Sequence, residues 1–472
     1  MRSLRSPLFL LGFLMLVIAV RGDGHFPFPK TWPEGRLQLI VLAHTIALVA
    51  GIVWTAHLVL RDRMFLGACL SRRMHDVLYT VGPPACVAAI LGLHVLQADY
   101  YHRFGYRKDV ASFVTIAGLA LIPLALYWSR AWASGKRPLH PFLLSVLAGS
   151  LVLKAIPLRY FPVTSIRSDL LPMLREGALS LLRGENPYRA YLLDNGVMTP
   201  LVRLPGLLLA FAPAAALGID LRLVTLLFET AAFLLLFALV VDRGLAGVPS
   251  SQALWPIAFF VLLPYWHYRH ELYETPFWLL LLATLLALDH APALVVALGT
   301  GLLAATHQWG WLFAPYLVVA VLKRKGWRQA GAVAGAAGLV ALVVVELTVH
   351  GSPKAFFENV LGTYDRMTEQ SYFYSMSMYF SPIFGRLGAA SLLRPIQALL
   401  QLPLLALALR YGDRTDKLAA ILALSLTATL LFNQVCWTYQ YLLVLFLLFS
   451  AVVLRCASLG SRAPDAPAPS SR

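Results

Sequence analysis

Charge is scarce in this chain of 472 residues: 13% are Asp, Glu, Lys or Arg, against 59% hydrophobic. Mean hydropathy is +0.70. About a quarter of an ordinary soluble domain is charged, so the shortage excludes a water-soluble globular class. Acidic residues are the scarcest, 23 against 39 Lys and Arg, which leaves a formal charge of +16. That balance would suit a nucleic-acid binder, but the cations fall mainly in short loops beside apolar runs, where the positive-inside rule accounts for most of them. The four cysteines, Cys69, Cys86, Cys436 and Cys456, have no CxxC or other metal spacing and read as packing residues. The chain also lacks a Gly-rich phosphate loop and a Rossmann pattern, which argues against nucleotide binding.

Long apolar runs fill the chain instead. Candidate spans lie near 7–20, 37–60, 77–98, 110–129, 139–158, 204–218, 223–241, 252–265, 276–289, 291–306, 310–322, 330–349, 386–409, 418–434 and 438–455. Most approach the roughly 20 residues needed to cross hydrocarbon. Backbone groups in lipid must bond internally, so the spans are helices and the expected class is an all-α polytopic membrane protein. The first run follows Arg2 and Arg5 and reads as a signal peptide or signal anchor. A retained helix is preferred because no small-x-small cleavage site precedes Arg21.

Loop charges orient the spans. Arg61, Arg63, Arg72 and Arg73, then Arg130, Lys136 and Arg137, then Lys323 to Arg328, and finally Arg410, Arg414 and Lys417 mark cytoplasmic loops. Counting spans from the two ends disagrees by one crossing. We therefore expect a short Pro- and Ala-rich segment near 204–218 to be re-entrant or interfacial, which is tolerated where backbone lines a protein cavity. The outer face then collects Asp169, Arg175, Arg183, the run from His267 to Glu274, His307, the loop with Glu358, Asp365 and Glu369, and Trp437 to Tyr439. Such a concentration points to chemistry or binding on that side, although aromatic belts and snorkelling cations account for single residues equally well. Among ionisable residues inside apolar runs, Lys154 and Glu346 can snorkel, which leaves Glu229 as the interior candidate.

Arg167-Ser168-Asp169, then Leu179 to Arg183, Gly184-Glu185-Asn186-Pro187-Tyr188 and Pro200-Leu201, resembles the first outer loop of GT-C glycosyltransferases, in particular glycosyltransferase family 87. The resemblance implies a GT-C-type transmembrane helical bundle with extracytoplasmic loops and juxtamembrane helices. It also implies transfer of a sugar, mannose in that family, from a polyprenyl-phosphate carrier to a hydroxyl of a lipid or glycan acceptor at the extracytoplasmic face of a bacterial plasma membrane. Asp169 would be the general base, a role that requires hydrogen-bond reach of the acceptor hydroxyl. The competing reading makes Ser168 or Asp169 an N-cap for a helix through Leu170 to Leu182.

Arg175, Asn186, Tyr188, His267, Arg269, His270, Glu274, His307 and Tyr439 are the candidate substrate-binding residues; cations among them suit a departing phosphate. Asn186-Pro187-Tyr188 has a structural reading as well, since Pro187 ends the preceding helix. Glu274 could place the acceptor, hold a cation or answer a helix dipole. The Asp169 loop has no DxD pair, so no metal ligand is named, and a divalent cation is the one cofactor left open. Nucleic acid is not expected as a partner.

The expected organisation is a signal segment and short outer loop over 1–36, additional N-terminal helices over 37–137, a catalytic core over 138–457 with outer loops 159–203 and 351–385, and a disordered cytoplasmic tail over 458–472. The helices before residue 138 exceed a minimal GT-C core. Two rivals remain. A lipid-linked-sugar flippase or transporter would show repeated halves with broken helices, and no convincing repeat is visible. An O-antigen-ligase-like transferase would lean on Arg and His, which Arg269 and His270 keep in view.

Overall fold

The computed structural model describes residues 34–61, 144, 146–151, 154, 158, 163–165, 169–243, 273–349, 353–363, 380–433 and 440–460. The expected spans near 7–20, 77–98, 110–129 and 252–265 lie outside the described residues, as do His267, Arg269, His270 and Tyr439. The described chain is helical apart from one hairpin, and the protein is an all-α polytopic membrane protein. Helix α1 covers Glu34–Leu60, the positions described between 144 and 158 are helical, and α2 covers Leu170–Leu182. Strands β1 (Ala190–Leu192) and β2 (Met198–Pro200) pair antiparallel, with Tyr191 opposite Thr199. Helices α3 (Pro205–Ala216), α4 (Leu221–Arg243), α5 (Thr275–His290), α6 (Ala293–Thr306), α7 (Gln308–Lys325) and α8 (Trp327–Val349) follow. The described chain closes with α9 (Pro353–Val360), α10 (Ser381–Arg386), α11 (Leu393–Tyr411), α12 (Thr415–Leu431) and α13 (Tyr441–Gly460).

Polar contacts sort the helix termini into two ends. At one end Arg324, in the last turn of α7, donates to Asp289 at 2.7 Å, to Thr415 Oγ1 at 3.0 Å and to the Gly412 carbonyl at 3.1 Å. Lys325 Nζ donates to the Ala291 carbonyl at 2.7 Å, and Arg455 of α13 lies 3.9 Å from Asp416. The finish of α5, α7, α11 and α13 and the start of α12 therefore share a basic end. Cations over helix C-termini are also favoured by the backbone dipole. The starts of α4, α5 and α7 meet at the opposite end. There the Thr275 hydroxyl donates to the Thr225 carbonyl at 2.9 Å, and Glu274 approaches His307 at 3.3 Å.

Helix α3 does not cross. Gly206 sits so close to the last turn of α6 that a Cβ there would lie 2.6 Å from Thr306 Oγ1, so the head of α3 is at the end that holds His307. The start of α4 is at that same end, tied to α5 through Thr225. Twelve helical residues rise only about 18 Å, and residues 217–220 cannot carry the chain back through the bundle. The segment lies along the end of the bundle, which accounts for the crossing that the two counts from loop charge disagreed about.

The middle of the bundle is apolar with two polar features. Trp278 of α5 stacks on Phe446 of α13, centroids 5.0 Å apart, and Phe233 of α4 meets Phe446 and Phe449 edge-on. Beside them Lys154 Nζ lies 2.7 Å from Glu229 Oε1, each side chain 1% exposed, with the ammonium 5.9 Å from the Phe233 ring centre. Glu229 is thus an interior group as expected, but Lys154 is its partner and does not snorkel. Glu346, by contrast, is exposed on α8. Gln401 of α11 knits a second network, accepting from Tyr316 at 2.7 Å and Ser425 at 2.6 Å while donating to Thr429 Oγ1 at 3.2 Å.

A buried pair hides the cost of either charge alone, so removing one partner should cost about 3–5 kcal/mol. Glu229→Leu is expected to lower the thermal unfolding midpoint in detergent, and Lys154→Met with Glu229→Leu to recover most of that loss. Equal losses in both proteins would show that the unpaired ammonium is not the cause.

Candidate functional site

The segment from Asp169 to Leu204 is built locally. Helix α2 ends in a glycine-terminated cap: Gly184 has φ of 72°, its N–H donates to the Leu181 carbonyl at 3.0 Å, and the Glu185 N–H donates to Ser180 at 2.9 Å. A left-handed residue is needed at that point, and glycine adopts it without a Cβ clash. Arg183 and Arg189 bracket Glu185 at 3.0 and 2.8 Å, and the Arg183 bond holds the Glu185 carboxyl below the usual carboxylate range. Asn186 Oδ1 accepts from the Tyr188 N–H at 2.9 Å, an Asx turn that Pro187 stiffens. Tyr191 donates to the Pro187 carbonyl at 2.6 Å. Tyr188 is buried edge-on against Phe356 of α9, centroids 4.9 Å apart, and burial pushes its phenol well above the usual tyrosine value.

A cavity of about 670 Å³ opens between this segment and the start of α4. Arg175 and Glu176 of α2, Asp194 of the hairpin turn, and Asp220 and Arg222 at the head of α4 supply its charge; Leu158, Leu192, Ile219 and Leu221 supply part of its apolar wall. Arg222 grips Asp220 through Nε at 3.0 Å and Nη2 at 2.6 Å and reaches the Leu158 carbonyl at 3.2 Å. Asp194 Oδ1 accepts from the Ser165 N–H at 2.8 Å and from the Ser165 hydroxyl. Asn195 ties the same turn to Ser165 at 2.9 Å through its backbone N–H. The hairpin is therefore pinned to the residues just before α2.

Asp169 stands at the N-cap position of α2 in helical geometry (φ −77°, ψ −10°) and makes no side-chain capping bond, while Ser168, the other residue of the N-cap reading, lies outside the described residues. Spacings of three and four residues put Asp169, Pro172 and Glu176 on one face of the helix, and Pro172 and Glu176 line the cavity. Asp169 heads that face and is half-buried.

A second constellation lies where α5 and α7 begin. Glu274 and His307 are 1% and 3% exposed, with His307 Nε2 3.3 Å from Glu274 Oε1. His307 Nδ1 accepts from the Trp309 N–H at 3.2 Å, and Nε2 is the nitrogen that faces Glu274. Tyr273 lies nearly parallel to the His307 ring at 6.1 Å, and the Arg203 guanidinium sits 4.1 Å from the centre of Tyr273. Gln308 donates to the Val202 carbonyl at 2.9 Å, which joins the entry to α3 to the start of α7. Neither oxygen of Glu274 has a hydrogen-bond donor among the described residues.

Of the residues singled out in sequence, Glu274 and His307 meet directly, while Asp169 and Arg175 share α2 beside the cavity. Asn186 and Tyr188 are spent on the turn and its packing. Arg203, Asp194 and the Asp220–Arg222 pair were not anticipated. Arg203 reads in sequence as one more cation near the start of an apolar run, and Asp194-Asn195-Gly196 reads as a turn. No group of three or more His, Cys, Asp or Glu able to hold a metal occurs among the described residues.

Residues 205–436 match the model of glycosyltransferase family 87. No curated protein and no solved structure matches the chain. The matched region runs from the head of α3 past α12 and includes Glu274 and His307. Asp169, α2 and the hairpin lie upstream, so the loop that carries the sequence resemblance falls outside it.

A buried carboxylate without donors is costly. Glu274→Gln should therefore leave the unfolding midpoint unchanged or raise it, whereas His307→Ala, which strips the carboxylate of its neighbour, should lower it. A Gln variant that melts as early as His307→Ala would make the pair a stabilising contact.

Proposed function

We propose, for a chain whose residues 205–436 carry the glycosyltransferase family 87 pattern and which is therefore a membrane glycosyltransferase, that it moves a sugar from a polyprenyl-phosphate carrier to an acceptor hydroxyl, with Asp169 as general base. The observation that carries this reading is the Asp169 carboxylate, half-buried, uncapped and at the head of the cavity-lining face of α2.

The chemistry asks little more of the protein. A sugar on a polyprenyl phosphate already bears its leaving group: the acceptor oxygen bonds to the anomeric carbon, the bond from that carbon to the phosphate oxygen breaks, and the hydroxyl proton passes to Asp169. The phosphate charge that develops calls for oriented cations. Arg203, stacked on Tyr273, supports that role, with His267, Arg269 and His270 as further candidates. A carrier-linked donor also agrees with the missing nucleotide-binding pattern, and mannose is the sugar the family resemblance favours. The basic end at Arg324 and Lys325 fits the cytoplasmic face by the positive-inside rule, which gives the Asp169 end to the extracytoplasmic side.

The test is transfer from a panel of polyprenyl-phosphate sugars by the purified protein and by Asp169→Asn. A positioned general base contributes roughly 10²–10⁴-fold, so transfer should fall by about that factor in a variant with an unchanged unfolding midpoint. Full activity in Asp169→Asn would remove that residue from the chemistry. A parent protein that transfers from no donor, yet moves a lipid-linked sugar across vesicles, would favour a flippase.

A further inference from the structure

We infer that the cavity between α2, the hairpin turn and the head of α4 is the subsite for the acceptor, and that it selects an uncharged, hydroxyl-rich glycan over a phosphate-bearing ligand. The assignment rests on the transferase reading above and adds to it the chemical class of one substrate and the residues that hold it.

Charge is the first argument. The lining carries Arg175 and Arg222 against Glu176, Asp194 and Asp220, two positive groups against three negative. A pocket of that balance repels a phosphate and is poorly suited to the donor's pyranosyl phosphate. Committed bonds sharpen the point. Arg222 is spent on Asp220 and the Leu158 carbonyl, so its donors face protein oxygens. Arg175 is the remaining cation, with Glu176 beside it.

The second argument is preorganisation. Ser165 fixes the Asp194 carboxylate through Oδ1, and Arg222 fixes Asp220 in a fork. Carboxylates held in place before binding accept bonds from vicinal hydroxyls at a low entropic cost. Arg175 and Glu176 make no side-chain hydrogen bond among the described residues, so their donors and acceptors face the cavity uncommitted. The apolar wall from Leu158, Leu192, Ile219 and Leu221 suits the C–H faces of a sugar ring. At about 670 Å³ the space has the volume of an ordinary small-ligand pocket.

Position is the third argument. The base has to reach the acceptor oxygen, not the donor phosphate, and Asp169 shares its helix face with Pro172 and Glu176, which line this space. The cationic Arg203 belongs to the other constellation, with Tyr273 and His307. Donor phosphate and acceptor hydroxyls thereby fall to groups of opposite character.

The experiment measures binding, independent of turnover, of two probes to the full-length protein in detergent: a neutral alkyl mannoside and a polyprenyl monophosphate. Parent, Glu176→Gln and Arg175→Gln are compared. Losing a charged hydrogen-bond partner typically weakens binding about tenfold or more. We expect the neutral glycoside to bind the parent and to lose about tenfold in Glu176→Gln, with binding of the monophosphate unchanged in both variants. Loss of the monophosphate in Arg175→Gln, with glycoside binding intact, would overturn the assignment and make the cavity a donor site. Unchanged binding of both probes in both variants, or no glycoside binding to the parent, would overturn it also. Glutamate-dependent glycoside binding by a protein that transfers no sugar would retain the subsite and sink the transferase mechanism alone.

Discussion

The arrangement at the site end depends on one length constraint. Pro205–Ala216 is too short to cross hydrocarbon, and the chain between it and α4 is too short to bring it back. Both ends of α3 must then lie at the end of the bundle where α4, α5 and α7 begin. That places Arg203 beside Tyr273, brings Gln308 onto Val202 and fixes the head of α4 next to α2. The close approach of Gly206 to Ala305 and Thr306 follows from the same constraint, since a side chain there would lift the head of α3 off α6. A full crossing in its place would put Arg222 and Asp220 at the basic end, and the cavity would lose two of its five charged lining residues.

The loop from Asp169 to Leu204 solves a different problem. Backbone polar groups at the edge of a membrane need partners that water supplies only on one side. The Gly184 cap, the Asn186 turn and the hairpin pinned to Ser165 bond the chain to itself. Tyr188, wedged against Phe356, then couples the loop to α9, which follows α8. The result is a self-bonded frame beside α2, a helix that meets α3 and also lines the cavity. Such a frame suits the base proposed for Asp169, since a carboxylate acts as a base only when it is held within reach of its proton.

How much of this was legible in the sequence varies with the kind of signal. Helices α4 to α8, α12 and α13 follow apolar runs that hydropathy locates to within a few residues, because burial in lipid leaves no alternative to a helix. The non-crossing segment was legible only indirectly, from a charge count that would not close. Asp169 and Glu274 could be found because acids are rare in such a chain. Arg203 and the Asp220–Arg222 pair could not, because cations near helix ends are common and a contact between residues two apart gives no periodic signature. Lys154 was misjudged for a related reason: an ammonium near the end of an apolar run looks able to reach water, and only the packing of α4 against its helix shows Glu229 waiting at 2.7 Å.

The two buried acid–base pairs in the bundle show how geometry separates support from availability. Lys154 and Glu229 close to 2.7 Å deep among Phe233, Trp278 and Phe446, a distance at which the charges satisfy each other. Glu274 and His307 stand 3.3 Å apart, with Nδ1 of the histidine occupied by the backbone of Trp309 and both carboxylate oxygens lacking a hydrogen-bond donor among the described residues. A pair that served only packing would gain by closing, since an unsatisfied buried acceptor costs about 1–3 kcal/mol. The looser pair sits at the end of the bundle with Arg203, where α3 enters, and the tight one sits between helices. Among the described residues, the carboxylate oxygens of Glu274 thus keep their hydrogen-bonding capacity at the end of the bundle where α3 enters, whereas the acceptor of the tight pair is committed to an ammonium.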